Sequence, residues 1–151
     1  MFFFVEAKTT KYLLNFLLYF FGLAVISCGT NDNIADSTNT EISSYSDNGT
    51  TFTITVNSSK FYIDGTLTKS LILKKRYTYY FDSTDSTTNN HPLFIGTTSS
   101  GGSYTYEYTS GVTNSRTTNG TLKIEIPSDS PSTLYYNCGN HVSMGGSITI
   151  N

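Results

Sequence analysis

A chain of 151 residues is long enough to bury the core of one domain and too short for two ordinary ones. Its nine Lys and Arg against eleven Asp and Glu leave a net charge of −2, without the basic stripe that would indicate nucleic-acid binding. Twelve Tyr, ten Phe, no Trp and many Ser, Thr and Asn favour a β protein rich in turns.

The N-terminal region, residues 1–27, is predicted to be a signal peptide. Two lysines precede residues 12–26, an apolar run that is short for a spanning helix, which needs about 20 residues. The run ends in Val-Ile-Ser-Cys, which resembles the lipobox of bacterial lipoproteins and places Cys28 at the lipidated position. We therefore expect Cys28 to anchor the protein to a membrane without spanning it. The alternatives are an ordinary secretory peptide or an uncleaved anchor.

Residues 28–50 are predicted to be a flexible tether that begins at Cys28. This segment is rich in Asn, Asp, Ser and Thr and shows no hydrophobic periodicity. The globular domain is predicted to follow it over residues 51–151.

The domain is predicted to consist of short strands separated by turns. Apolar residues alternate along several segments, and Asp-Gly and Asn-Gly dipeptides mark tight turns between them. The basic trio Lys74–Arg76 is interpreted as a turn or a solvated edge. Seven or eight short strands without a convincing helix predict an antiparallel β-sandwich. The predicted strands cover residues 51–56, 60–63, 70–82 (interrupted at the basic trio), 93–98, 104–108, 122–126, 132–137 and 147–150.

The stretch from residue 135 to residue 146 reads YYNCGNHVSMGG and carries three candidate metal ligands. Cys138, His141 and Met144 follow a C-x2-H-x2-M spacing and offer soft donors that select copper over calcium, magnesium or manganese. His91 is the only other histidine and becomes the fourth candidate. Two His, one Cys and one Met make up the ligand set of blue-copper electron-transfer sites. Singly, each residue would more often be core or surface, but their confinement to one loop favours a metal site.

Cysteine counting supports this interpretation. If Cys28 is lipidated or removed with the signal peptide, Cys138 has no partner within the chain for a disulfide. A lone thiol is a liability in an oxidising compartment unless a metal ion holds it.

The order and context of these residues resemble the cupredoxins, small Greek-key β-sandwiches that carry type 1 copper. In that family one His ligand follows a mid-chain strand, and the Cys, the second His and the Met share the loop before the last strand. His91, Cys138, His141 and Met144 fall in this order, and the C-x2-H-x2-M spacing is similar to the short ligand loop of the amicyanins. The stretch is also similar to the ending of a widespread cupredoxin-like group. The resemblance covers residues 51–151.

One residue departs from the family pattern. Small cupredoxins usually follow the first His ligand with Asn, whose amide donates to the thiolate, whereas Pro92 has no N–H. The His-Pro-Leu sequence resembles the start of the type 1 copper motif in multicopper oxidases. A chain with two histidines lacks the ligands of a trinuclear centre, so we expect no enzymatic oxygen reduction.

The resemblance implies a single-electron carrier that cycles between Cu(I) and Cu(II), with Met144 as a weak axial ligand. It also implies that His141 lies at the surface, within an apolar docking patch to which Pro92 and Val142 contribute. Redox partners would dock weakly and transiently. We expect a monomer on the extracytoplasmic, periplasmic or cell-surface side, attached to the membrane through its lipid alone.

Three alternatives remain at this point. The same ligands would suit a copper chaperone or sequestering protein, although the chain has no Met-rich or His-rich tract. A surface module that has lost its metal is disfavoured because all four ligands are present. Zinc is disfavoured because it prefers Cys, His and carboxylate ligands.

Overall fold

The computed structural model describes residues 44–151, which form two β-sheets around one apolar core. The predicted signal peptide, Cys28 and most of the predicted tether lie outside this range. No helix within residues 44–151 is long and apolar enough to cross a membrane. The strands of this range are β1 (Ser46–Asn57), β2 (Lys60–Ile63), β3 (Thr66–Leu67), β4 (Leu71–Leu73), β5 (Tyr77–Asp82), β6 (Leu93–Gly96), β7 (Val112–Thr113), β8 (Thr121–Glu125), β9 (Thr133–Cys138) and β10 (Gly145–Ile150), with a one-turn 3₁₀ helix at Ser86–Thr88.

The larger sheet has the strand order β3-β2-β1-β5-β8-β7, and the smaller has the order β4-β10-β9-β6. This confirms the predicted all-β sandwich, but both sheets are mixed instead of purely antiparallel. β1 runs parallel to β5, and β4 runs parallel to β10. A hairpin cannot join parallel neighbours, so β1 and β5 need a longer connection. The chain between them contributes β4 to the other sheet. The ten strands of residues 44–151 exceed the predicted seven or eight, partly because β3 and β7 have two residues each.

The first strand begins earlier than the sequence predicts. β1 starts at Ser46, so the last five residues assigned to the tether belong to the sheet. Ser46 and Asp47 pair with the first residues of β5, and the register shifts between Asp47 and Thr50, where Gly49 has a φ of +65°. These residues are largely exposed and are held by backbone pairing, so no apolar alternation marks them in the sequence.

The predicted strand at residues 104–108 is wrong. This segment forms turns, and its only ladder contact in the described chain is an isolated bridge between Gly96 and Glu107. Of the three alternating tyrosines that suggested a strand, Tyr104 and Tyr108 pack within the domain and Tyr106 is exposed. The ring centroids of Tyr104 and Phe94 lie 5.1 Å apart in an edge-to-face arrangement, and Tyr108 packs against the core.

The core is built from the inward faces of both sheets. Its β-branched and aromatic side chains alternate with outward polar residues, as a half-buried strand requires. Phe61 on β2 and Tyr136 on β9 meet across the two sheets, with ring centroids 6.3 Å apart. Burying each large apolar side chain contributes about 1.5–3 kcal/mol. The fully buried members include Ile54, Phe61, Ile63, Leu73, Phe81, Leu93, Ile95, Leu122, Ile124, Ile126, Leu134, Tyr136 and Ile148.

Tyr136 gives the fold a dependence on alkaline pH. Its ring is fully buried and its hydroxyl donates to the carbonyl of Lys69 at 2.9 Å. Burial raises the pKa of Tyr136 from 10.0 to about 12. Between these values the unfolded chain releases this proton while the folded chain retains it, so the free energy of unfolding falls as pH rises.

When the pH is raised from 10 to 11.5, we expect the free energy of unfolding to fall less for Tyr136→Phe than for the wild type. At pH 7 the variant should be less stable by about 1 kcal/mol, because the Lys69 carbonyl loses its donor. Urea unfolding across this pH range measures both effects, with the exposed Tyr106→Phe as the control. If the free energy of unfolding fell equally with pH in the wild type and in Tyr136→Phe, the buried Tyr136 hydroxyl would not be the source of the pH dependence.

Candidate metal centre

Strand pairing in the smaller sheet brings the candidate ligands to one end of the sandwich. β6 and β9 are antiparallel, with Leu93 opposite Cys138. Because His91 precedes β6 by two residues and Cys138 ends β9, both side chains reach the same edge. The loop of residues 138–144, which we call the ligand loop, then carries His141 back beside them. We call this edge the ligand end.

The three side chains form a compact cluster. The Cys138 sulfur lies 3.4 Å from Nδ1 of His141 and 3.8 Å from Nδ1 of His91. The two imidazole rings have centroids 4.8 Å apart and planes inclined by 32°. All three candidate donor atoms lie within 4.8 Å of one another. Three residues separated by up to 50 positions in the chain thus converge on one point.

The two sulfur-to-nitrogen distances fit a shared metal ion. An ion bonded to sulfur at about 2.3 Å and to nitrogen at about 2.0 Å, in tetrahedral or trigonal geometry, holds those atoms about 3.5–3.8 Å apart. The observed sulfur-to-nitrogen distances of 3.4 and 3.8 Å therefore match two bonds to one ion. A thiolate and two imidazoles are also the donors of a copper site. His91, Cys138 and His141 thus suit the copper ion that the sequence predicts.

The protonation states of Cys138 and His91 make metal binding depend on pH. Burial raises the pKa of the Cys138 thiol, and the backbone N–H groups of Asn140 and His141, which donate to its sulfur, oppose this shift. Burial, and secondarily the charge of His141, lowers the pKa of His91. At neutral pH the metal-free site therefore holds a protonated thiol and a neutral His91 imidazole. Binding of a metal ion releases the thiol proton, so affinity rises with pH.

Met144 lies on the same loop, between the ligands and β10. Its side chain is fully buried, and its carbonyl accepts a hydrogen bond from the Cys138 amide at 2.8 Å. Ser143 before it has a φ of +55°, in the left-handed region, which turns the chain back toward the core. Its role as axial ligand stays a prediction.

Comparisons with known proteins give distant structural matches. No protein-family model and no curated protein matches the chain. Reduced rusticyanin is 14% identical with a TM-score of 0.43, and the match covers 67% of this chain and 78% of that one. Rusticyanin from Thiobacillus ferrooxidans is 14% identical with a TM-score of 0.39, covering 67% and 76%. Rusticyanin is a copper protein.

The predicted docking residues are placed differently by the structure. Val142 is 75% exposed and projects beside His141 at the ligand end. Pro92 is buried, and it immediately precedes β6, where its carbonyl accepts a hydrogen bond from the Gly139 amide at 2.8 Å. Its assignment to the surface patch is therefore wrong. Pro92 instead ties the His91 segment to the ligand loop.

The Cys138 sulfur has two amide donors although Pro92 supplies none. The sequence correctly predicts that position 92 offers no N–H. It does not reveal that Asn140 and His141, inside the ligand loop, direct their amides to the Cys138 sulfur. Such contacts arise because the loop turns tightly around its own first residue, which spacing alone does not show.

Supporting residues outside the motif also hold the ligand loop. The amide of Gly102 donates to the Cys138 carbonyl at 2.9 Å, and the Asn140 side-chain amide donates to the Asn90 carbonyl at 2.9 Å. Gly101 packs so closely that an added Cβ would lie 2.3 Å from the His141 carbonyl oxygen. The Gly-rich stretch at 99–103 was the available sequence signal, and its meaning is close backbone approach.

Proposed function

We propose that the chain is a single-electron transfer protein with one type 1 copper ion. His91, Cys138 and His141 would hold the ion, with Met144 as a weak axial ligand. The observation that carries this proposal is the cluster itself: one thiol and two imidazoles, with both sulfur-to-nitrogen distances of a size that bonds to one ion would give. Copper in such a site takes up and gives back one electron.

The contribution of the chain is to hold the ligands in one geometry. Cys138 and Gly139 are tied through their backbones to Met144 and Pro92, so the ligand loop is fixed to its neighbours. Ligands on paired strands and on a braced loop keep their positions better than ligands on a free loop. Burial of Cys138 also excludes bulk water from the thiolate. Both properties suit fast electron exchange without rearrangement.

Electron exchange would take place at the ligand end. His141 is partly exposed, whereas Cys138 and Met144 are buried, so an imidazole edge is the ligand nearest to solvent on this loop. The exposed Val142 beside it would contribute to a small apolar contact for redox partners. Small contacts suit weak and transient encounters. We further propose that the protein acts as a monomer outside the cytoplasm, held to a membrane by a lipid on Cys28.

The proposal is tested by titrating the purified full chain with Cu(II). We expect one copper ion per chain and an intense blue or green colour from thiolate-to-copper charge transfer. Zn(II) titration serves as the control, since zinc has no redox chemistry and gives no visible band. A colourless one-to-one Cu(II) complex would contradict a type 1 site and favour a copper-sequestering protein.

A further inference from the structure

The hairpin that joins β1 and β2 contacts both segments that carry the candidate ligands. Its two-residue turn, Ser58 and Ser59, has φ values of +50° and +54°, as the twist of a tight hairpin requires. On one side the amide of Val56 donates to the Thr87 hydroxyl at 2.9 Å, in the helical turn that leads to His91. On the other side lies Lys60, the first residue of β2.

Lys60 bridges the two sheets at the ligand end. Its ammonium group donates to the carbonyl oxygen of Ser143 at 2.8 Å, although the two residues are 83 positions apart. Hydrogen bonds from a charged donor are stronger than neutral ones, and water around this exposed pair reduces the difference. This one reaches from the larger sheet to the ligand loop between the last two strands of the smaller sheet.

The acceptor of this bond lies at the turning point of the ligand loop. Ser143 has a φ of +55°, a conformation that is unfavourable for a residue with a side chain and persists only when its surroundings hold it. The next residue, Met144, is buried, and its carbonyl accepts a hydrogen bond from the Cys138 amide at 2.8 Å. A donor on the Ser143 carbonyl therefore restrains the peptide unit that joins Ser143 to Met144.

We propose that Lys60 is a positioning residue for the metal centre, holding the turn between His141 and Met144 and favouring the reduced state. This proposal rests on the proposed copper function. Reduction adds one electron to the centre and lowers its positive charge by one unit. A lysine ammonium held against the ligand loop repels the oxidised centre more than the reduced one, and its charge therefore raises the reduction potential.

The test compares three variants of the full chain. Lys60→Met removes the charge and the hydrogen bond while keeping a long stem, and Lys60→Arg keeps both a charge and a donor. Lys74→Met removes an exposed lysine from the turn between β4 and β5, away from the ligand loop, and is the matched control. Circular dichroism checks that each variant is folded.

The first readout needs no metal. In the metal-free protein, hydrogen exchange of the Cys138 amide, which is bonded to the Met144 carbonyl, should accelerate severalfold in Lys60→Met. Lys60→Arg and Lys74→Met should exchange like the wild type. Unchanged exchange in Lys60→Met would overturn the positioning role, whether or not the protein binds copper.

The second readout is the reduction potential of the copper-loaded protein. At a fixed ambient potential, the ratio of reduced to oxidised protein should fall roughly threefold in Lys60→Met, the scale of one unit charge acting through a largely solvated medium. Lys60→Arg should retain the wild-type ratio, and Lys74→Met should change it less. An unchanged ratio in Lys60→Met would overturn the charge effect. If the wild type forms no coloured copper complex, the proposed function fails, and the metal-free exchange still decides the role of Lys60.

Discussion

Cys138→Ser is expected to abolish the visible colour of the copper-loaded protein. The colour requires a thiolate bonded to Cu(II), and a serine hydroxyl neither ionises near neutral pH nor offers a soft donor. Copper affinity should fall by roughly a hundredfold or more, since even outer-shell changes at metal sites cost about 10–100-fold. Visible absorption and competition with a copper chelator measure the two effects.

Met144→Leu is the matched control for this experiment. It changes a second candidate ligand on the same loop but keeps the volume of the buried side chain and leaves the thiolate in place. If Met144 is a weak axial ligand, Met144→Leu should stay coloured and change its reduction potential. A Cys138→Ser protein that kept the intense band would show that the colour arises elsewhere.

Gly101→Ala is expected to damage the metal centre without touching any ligand side chain. A Cβ at this position would lie 2.3 Å from the His141 carbonyl oxygen and 2.7 Å from the Cys138 carbonyl oxygen. Both atoms belong to the backbone of the ligand loop, so the loop itself must move. We expect a loss of about 1–3 kcal/mol in stability, typical of overpacking, together with weaker copper binding and a shifted visible band.

Gly65→Ala separates this effect from general destabilisation. Gly65 has a φ of +76°, so alanine is strained there, but nothing lies within 4 Å of the added Cβ. This variant should lose about 1 kcal/mol of stability and keep the wild-type copper spectrum. A Gly101→Ala protein with normal copper affinity and colour would mean that the loop tolerates displacement.

The parts of the fold that follow from side-chain burial could be predicted from the sequence. β2 was predicted with its observed bounds, because its alternation and the following Asp-Gly turn leave little choice. The break at Lys74–Arg76 was also predicted, and Arg76 indeed has a φ of +64°. The parallel pairing of β1 with β5 could not be predicted, since it depends on which sheet β4 joins.

The same division holds for the metal centre. The convergence of His91, Cys138 and His141 was predictable because soft donors are scarce in this chain and three of the four candidates share one loop. The burial of Pro92 was not predictable, because it depends on how the loop after Cys138 packs back against the His91 segment, where the Gly139 amide bonds to the Pro92 carbonyl. The role of Lys60 was also hidden, since its partner lies 83 positions away and is a carbonyl, which every residue has.

The position of the basic turn Lys74–Arg76 has a practical consequence. The backbone amide of Ser46, where β1 begins, donates to the Arg76 carbonyl. The backbone amide of Lys75 donates to the carbonyl of Asn151, just after β10. Because β9 and β10 are antiparallel, the end of β9 at Cys138 lies beside the start of β10, and the end of β10 lies at the opposite pole of the sandwich. The start of β1 lies at that same pole, because the basic turn bonds to both. Attachment to an electrode through either of these points would therefore leave the His141 edge facing the solution, and the orientation of the immobilised layer would be set by the fold itself.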